Sequence, residues 1–152
     1  MLVTGYPREK GKQIEIIKGN FKTKVCDQMS EYPLEVSGAS GGNGIEGKLF
    51  ICGGLDSTFK RHSDCYFLKD GEWIESESLQ TVRIAHAASN VGEKIWITGG
   101  LGNSGSLALA STEIIQQDGK VISGTDLPEG RYGHCQITYE QTTFIIGMYI
   151  LC

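Results

Sequence analysis

Apolar runs that end in glycine recur along this chain. Leu49-Phe50-Ile51-Cys52 leads into Gly53-Gly54, and Ile95-Trp96-Ile97-Thr98 leads into Gly99-Gly100. Weaker copies read Leu2-Val3-Thr4-Gly5-Tyr6 and Phe144-Ile145-Ile146-Gly147-Met148. The first glycines, at 5, 53, 99 and 147, are separated by steps of 48, 46 and 48 residues. Self-similarity at that period signals a repeat architecture, in which each unit buries its faces against its neighbours.

The same parts recur between copies. Gln13-Ile14-Glu15-Ile16-Ile17, Asp64-Cys65-Tyr66-Phe67-Leu68 and Ser111-Thr112-Glu113-Ile114-Ile115 each lead into a turn: Lys18-Gly19-Asn20, Lys69-Asp70-Gly71 and Gln117-Asp118-Gly119. Asp-Gly between β-prone runs predicts a hairpin, since a type I′ turn needs positive φ at both central residues. Phe21, Trp73 and Val121 then open another strand, and a bend follows at Tyr32-Pro33, Ser78-Leu79 and Asp126-Leu127-Pro128. A polar motif comes next: Arg83-Ile84-Ala85-His86 and, 48 residues on, Arg131-Tyr132-Gly133-His134. The first copy reads Ser37-Gly38-Ala39-Ser40 at the place taken as equivalent, so the motif looks decayed there. Four short strands per period leave no room for a helix of roughly 10 residues or more, and the chain reads as all-β.

The glycine-pair element, the tyrosine-type strand followed by Trp73, and the Arg-x-x-His element resemble kelch repeats over nearly the whole chain. The order Cys26, Tyr32-Pro33, Cys52-Gly53-Gly54, Cys65-Tyr66, Asp126-Leu127-Pro128 and His134-Cys135 is also similar to a divergent subset of kelch-type proteins of invertebrates. The resemblance implies a kelch-type β-propeller, incomplete at about three repeats: a part-blade over 1–33, blades over 34–80 and 81–128, and a part-blade over 129–152. Propellers usually have four to eight blades, so the expectation is a fragment of a longer propeller. A chain complete as it stands would instead close a ring by self-association. Departures from the pattern are Gly5-Tyr6, Gly147-Met148 and Val121 in a tryptophan position.

Composition adds three constraints. Glycine makes up 21 of 152 residues, about twice the usual share, and is dispersed among apolar runs as turns require. A net charge of −4 without a Lys/Arg cluster gives no footprint for nucleic acid. No apolar stretch approaches the ~18 residues of a membrane helix.

The candidate chemistry reads mainly as structure. The repeat positions Gly5, Gly53, Gly54, Gly99, Gly100, Gly147, Trp73, Arg83, His86, Arg131 and His134 are read as structural, because a group repeated at the period normally ties units together. The glycine pairs lack the order and the following helix of a dinucleotide loop. His62-Ser63-Asp64-Cys65 and His134-Cys135 do not reproduce zinc-ligand spacing, and neither a catalytic residue nor a cofactor is assigned. Two readings stand for Cys52 and Cys65: a disulfide between adjacent antiparallel strands, or buried thiols. The cysteine pattern leans slightly toward an extracellular protein, with a cytoplasmic one open. The resemblance implies a scaffold that binds a protein partner through loops such as Tyr6–Lys12, Leu55–Ser63 and Leu101–Ala110. The alternatives are a propeller like galactose oxidase or one that binds glycans, and a partial gene product without independent function.

Overall fold

The computed structural model describes residues 2–4, 14–16, 30–103 and 107–147. The protein is all-β and built of antiparallel sheets. A two-stranded sheet pairs β1 (Leu2–Thr4) with β2 (Ile14–Ile16). The first large sheet contains β3 (Val36–Ser37), β4 (Ser40–Asn43), β5 (Leu49–Asp56), β6 (Arg61–Lys69) and β7 (Glu72–Glu75), with both β3 and β4 on one side of β5. The second contains β8 (Ala87–Val91), β9 (Lys94–Thr98), β10 (Thr112–Ile115) and β11 (Val121–Ser123), side by side in chain order. The third pairs β12 (Cys135–Tyr139) with β13 (Thr142–Ile146). Among the described residues, no helix is long and apolar enough to cross a membrane.

Turn chemistry explains the hairpins and corrects one expectation. Asp70 and Gly71 have φ of 52° and 86°, so this two-residue turn has positive φ at both centres, as a type I′ turn requires. The second Asp-Gly behaves differently. Gly119 has φ of 84° while Asp118 stays at negative φ, and the loop is closed by Gln116 N–H donating to the Lys120 carbonyl at 2.8 Å. One extra loop residue, Gln117, converts the tight turn into a three-residue loop ending in a left-handed glycine.

Alternation along the strands sends alternate side chains to opposite faces. Phe50, Cys52 and Cys65 of the first sheet pack with Ile95, Ile97, Ile115 and Val121 of the second, joined by Ile45 and Leu79, in one buried cluster. On the other face of the first sheet Tyr32, Ile51 and Trp73 form a second cluster. There the Tyr32 ring meets Trp73 edge-on at 5.1 Å and Tyr66 at 5.4 Å. The contact between second and third sheets is polar: Ser89 meets Thr138 at 2.8 Å, and Gln136 Nε2 donates to Ser89 at 2.7 Å.

Candidate functional site

Two regions gather the chemistry-bearing side chains: the joints between sheets and the β5–β6 loop. At the first joint, Gly54 N–H donates to the Arg83 carbonyl at 2.9 Å; at the second, Gly100 N–H donates to the Arg131 carbonyl at 2.8 Å. The two glycines of a pair face different neighbours. A Cβ on Gly53 would lie 2.6 Å from the Arg83 carbonyl oxygen and 2.9 Å from His86 Cε1. A Cβ on Gly54 would lie 2.8 Å from Val36 Cβ, and one on Gly100 2.8 Å from His86 Cβ. A Cβ on Gly99 would again meet the Arg131 carbonyl and, at 2.9 Å, His134 Cε1. The pair is thus wedged between two successive motifs, with φ of 67° and 109° at one joint and 59° and 97° at the other. Both space and backbone conformation exclude a side chain. Gly147 has φ of 116°, and Gly5 lies outside the described residues.

The motif residues split by role. Arg83 is fully buried: Nε donates to Glu113 Oε1 at 2.9 Å, Nη1 to the carbonyls of Gly99 and Ser111, and Nη2 to Ser111 Oγ. The Glu113 carboxylate also accepts from the backbone N–H groups of Gln80 and Thr81, so the buried pair has its remaining hydrogen-bond capacity satisfied. His86 and His134 are buried at successive joints. Burial, reinforced by Arg83 and then His134, pushes the His86 imidazole down to about 3; burial and Arg131 hold His134 below its usual range. Trp73 pairs with Leu68 and its Nε1 donates to the Ser30 carbonyl at 3.3 Å. Cys52 and Cys65 face each other in register and are disulfide-bonded, which resolves the choice the sequence left open. Cys135 is a free, exposed thiol.

The first copy of the motif needs a correction of one residue. Gly38, Ala85 and Gly133 share left-handed φ of 64°, 51° and 62°. Ala85 N–H donates to the Gly38 carbonyl, and Gly133 N–H to the Ala85 carbonyl, both at 2.8 Å. The equivalent of Arg83 is therefore Val36, that of Ala85 is Gly38, and that of His86 is Ala39. The charged side chains are absent from this copy, while its backbone rung is intact.

The loop between β5 and β6 is ordered by one carboxylate. Asp56 Oδ1 accepts from Thr58 N–H at 2.8 Å, Thr58 Oγ1 at 2.7 Å and Lys60 N–H at 3.0 Å. Its Oδ2 lies 2.9 Å from His62 Nε2, and the other ring nitrogen of His62 lies 2.9 Å from Asp64. Hydrogen bonds from His62 and Thr58 hold the Asp56 carboxyl well below the ordinary carboxylate range. Phe59 sits at the tip with φ of 64° and is 80% exposed. A bulky residue at positive φ is a genuine outlier, kept only where its surroundings over-determine it. Among the described residues, no group of three or more His, Cys, Asp or Glu side chains could hold a metal ion.

No family model matches the chain. It is 28% identical over 130 residues to the spermatocyte protein spe-26 of Caenorhabditis elegans, covering 80% of this chain and 22% of that one. The chain thus spans less than a quarter of that relative's length. The solved structure of YjhT is similar in fold, with a TM-score of 0.65 at 16% identity over 77% of this chain and 35% of the other.

Several site residues escaped the sequence reading. Glu113 lies 30 residues beyond Arg83, inside an apolar strand pattern, and its only signal was an acid where alternation expects burial. The Asp56–His62–Asp64 set and the exposed Phe59 carried no repeat signal, because the corresponding loop of the second sheet differs in sequence and length.

Proposed function

We propose that the chain is part of a kelch-type β-propeller scaffold that binds a protein partner through its inter-strand loops. The observation carrying this reading is the repeated joint: two successive sheets meet their neighbours through the same glycine pair, Arg carbonyl and His ring. Repetition at 46–48 residues, the likeness to spe-26 and the fold shared with YjhT support the same reading. The third sheet adds to it. Ile137, Phe144 and Ile146 are exposed on one of its faces. Phe144 and Ile146 hold the positions of Phe50 and Cys52, which the second sheet covers in the first copy. A further blade would cover that face.

Within the scaffold, the Asp56–His62 loop is the contact we assign to a partner. Its backbone is ordered before binding, so docking Phe59 into an apolar pocket loses little entropy, and rigid aromatic anchors commonly dominate interface energies. A photo-crosslinking amino acid placed at Phe59, with one at Ile122 on the last strand of the second sheet as control, tests this in native extracts. Discrete protein adducts from position 59 and none from 122 are expected. No adduct from position 59, or the same adducts from both, would overturn the assignment.

A further inference from the structure

The two joints differ at one pair of positions, and a buried histidine is left without a partner as a result. At the second joint Thr98 Oγ1 donates to Gln136 Oε1 at 2.6 Å. A hydroxyl has one proton to give, so the 2.9 Å contact between Thr98 and His134 Nε2 has the imidazole N–H donating to the hydroxyl oxygen. At the first joint the residue before the glycine pair is Cys52 instead of Thr98, and its cross-strand partner is Cys65 instead of Thr112. The two imidazoles occupy the same place: each Cε1 lies 2.9 Å from the Cβ position of the first glycine of its pair. Cys52, however, is in a disulfide and has no hydroxyl or thiol hydrogen. His86 is buried, and both of its ring nitrogens are enclosed without a hydrogen-bond partner among the described residues. A neutral imidazole carries one donor and one acceptor, and leaving such groups buried and unpaired destabilises a fold.

We propose that Cys52 and Cys65 form a reversible thiol–disulfide site, and that His86 shifts its equilibrium toward the dithiol by hydrogen-bonding the Cys52 thiol. The co-reactant is a dithiol. Its two sulfurs supply two electrons and two protons; the Cys52–Cys65 bond breaks, two S–H groups form, and the reductant closes into its own disulfide. The reduced Cys52 then offers His86 what Thr98 offers His134, a group that both donates and accepts. Cys52 and Cys65 are wholly enclosed between the first two sheets, so exchange proceeds through opening of the first joint. Reduction and the packing of that joint are therefore coupled, and the quantity His86 sets is an equilibrium.

The test equilibrates the chain in mixtures of reduced and oxidised dithiothreitol, traps thiols by acid quench and alkylation, and counts them by mass. One hydrogen bond of about 1 kcal/mol corresponds to roughly fivefold in the equilibrium constant. His86→Leu is expected to move the midpoint about fivefold toward the more reducing mixture. An unmoved midpoint, or one moved the other way, would overturn the proposal. A second measurement needs no variant of His86. Imidazole ¹⁵N spectra of the wild-type chain are recorded oxidised and reduced, beside the Cys52→Thr/Cys65→Thr variant. Reduction is expected to move a His86 nitrogen to a hydrogen-bonded shift resembling that of His134, and the threonine variant is expected to show that shift without reductant. A His86 spectrum indifferent to reduction would sink the idea even if His86→Leu failed to fold.

Discussion

Gly53→Ala isolates the joint between sheets, and its size follows from two separate contributions. The backbone at Gly53 has φ of 67°, where a Cβ destabilises by about 1–2 kcal/mol. The added methyl would also lie 2.6 Å from the Arg83 carbonyl oxygen and 2.9 Å from His86 Cε1, neither of them the loose end of a flexible chain. Overpacking of this kind destabilises by about 1–3 kcal/mol. Together they give about 3 kcal/mol. Gly71→Ala separates the two contributions, because Gly71 has φ of 86° but no atom within 4 Å of its Cβ position. Only the backbone contribution applies there, about 1 kcal/mol. Urea unfolding followed by tryptophan fluorescence reads both. With a slope of about 2 kcal/mol per M, the midpoint is expected to fall by about 1.5 M for Gly53→Ala and by about 0.5 M for Gly71→Ala. Equal losses at the two sites would refute the reasoning, since the joint would then add nothing to an ordinary left-handed glycine.

Four other outcomes are expected. Arg83→Met leaves the Glu113 carboxylate buried without its counter-ion and should lower stability by about 3–5 kcal/mol in urea titrations. The double variant Arg83→Val/Glu113→Tyr, which installs the Val36 and Tyr66 of the first sheet at the equivalent positions, should recover a substantial part of that loss. His86 binds its proton more weakly folded than unfolded, so the unfolded chain takes up more protons as pH falls below about 6.5 and stability drops. From pH 6.5 to 5 His86 contributes a loss of about 1.5 kcal/mol, because the slope climbs toward about 1.4 kcal/mol per pH unit only well below pH 6.5; urea midpoints at both pH values check it. Phe59→Gly relieves a bulky residue at positive φ and removes a side chain that is mostly in water; thermal melts should show stability unchanged or raised by up to about 1 kcal/mol.

The period and the hairpins were legible in the sequence because glycine punctuates each unit. Gly53, Gly54, Gly99 and Gly100 sit where only glycine is tolerated, and Asp70-Gly71 closes the turn its residues call for. What stayed hidden depends on register and on contacts far apart in the chain. The first motif copy lacks the Arg and His side chains, so only the left-handed backbone at Gly38 marks its place, one residue before where the sequence pattern alone sets it. The disulfide could not be fixed from spacing, because a one-residue slip of β6 would turn Cys65 to the opposite face. Its register against Cys52 is set just before the irregularity between Cys52 and Gly54. Glu113 read as an acid on a strand. Its place opposite Arg83 follows from how the second sheet meets the segment before β8, which no local pattern encodes.

Successive repeats are bound to one another through the rung that joins Gly38, Ala85 and Gly133. Residue-resolved amide hydrogen exchange tests it most directly. The N–H groups of Ala85 and Gly133, each donating to the preceding rung at 2.8 Å, are expected to exchange as slowly as those of the buried strand residues Ile97 and Ile115. Exchange at Ala85 and Gly133 as fast as at the exposed loop residue Phe59 would contradict the account, because each sheet would then open independently of its neighbour.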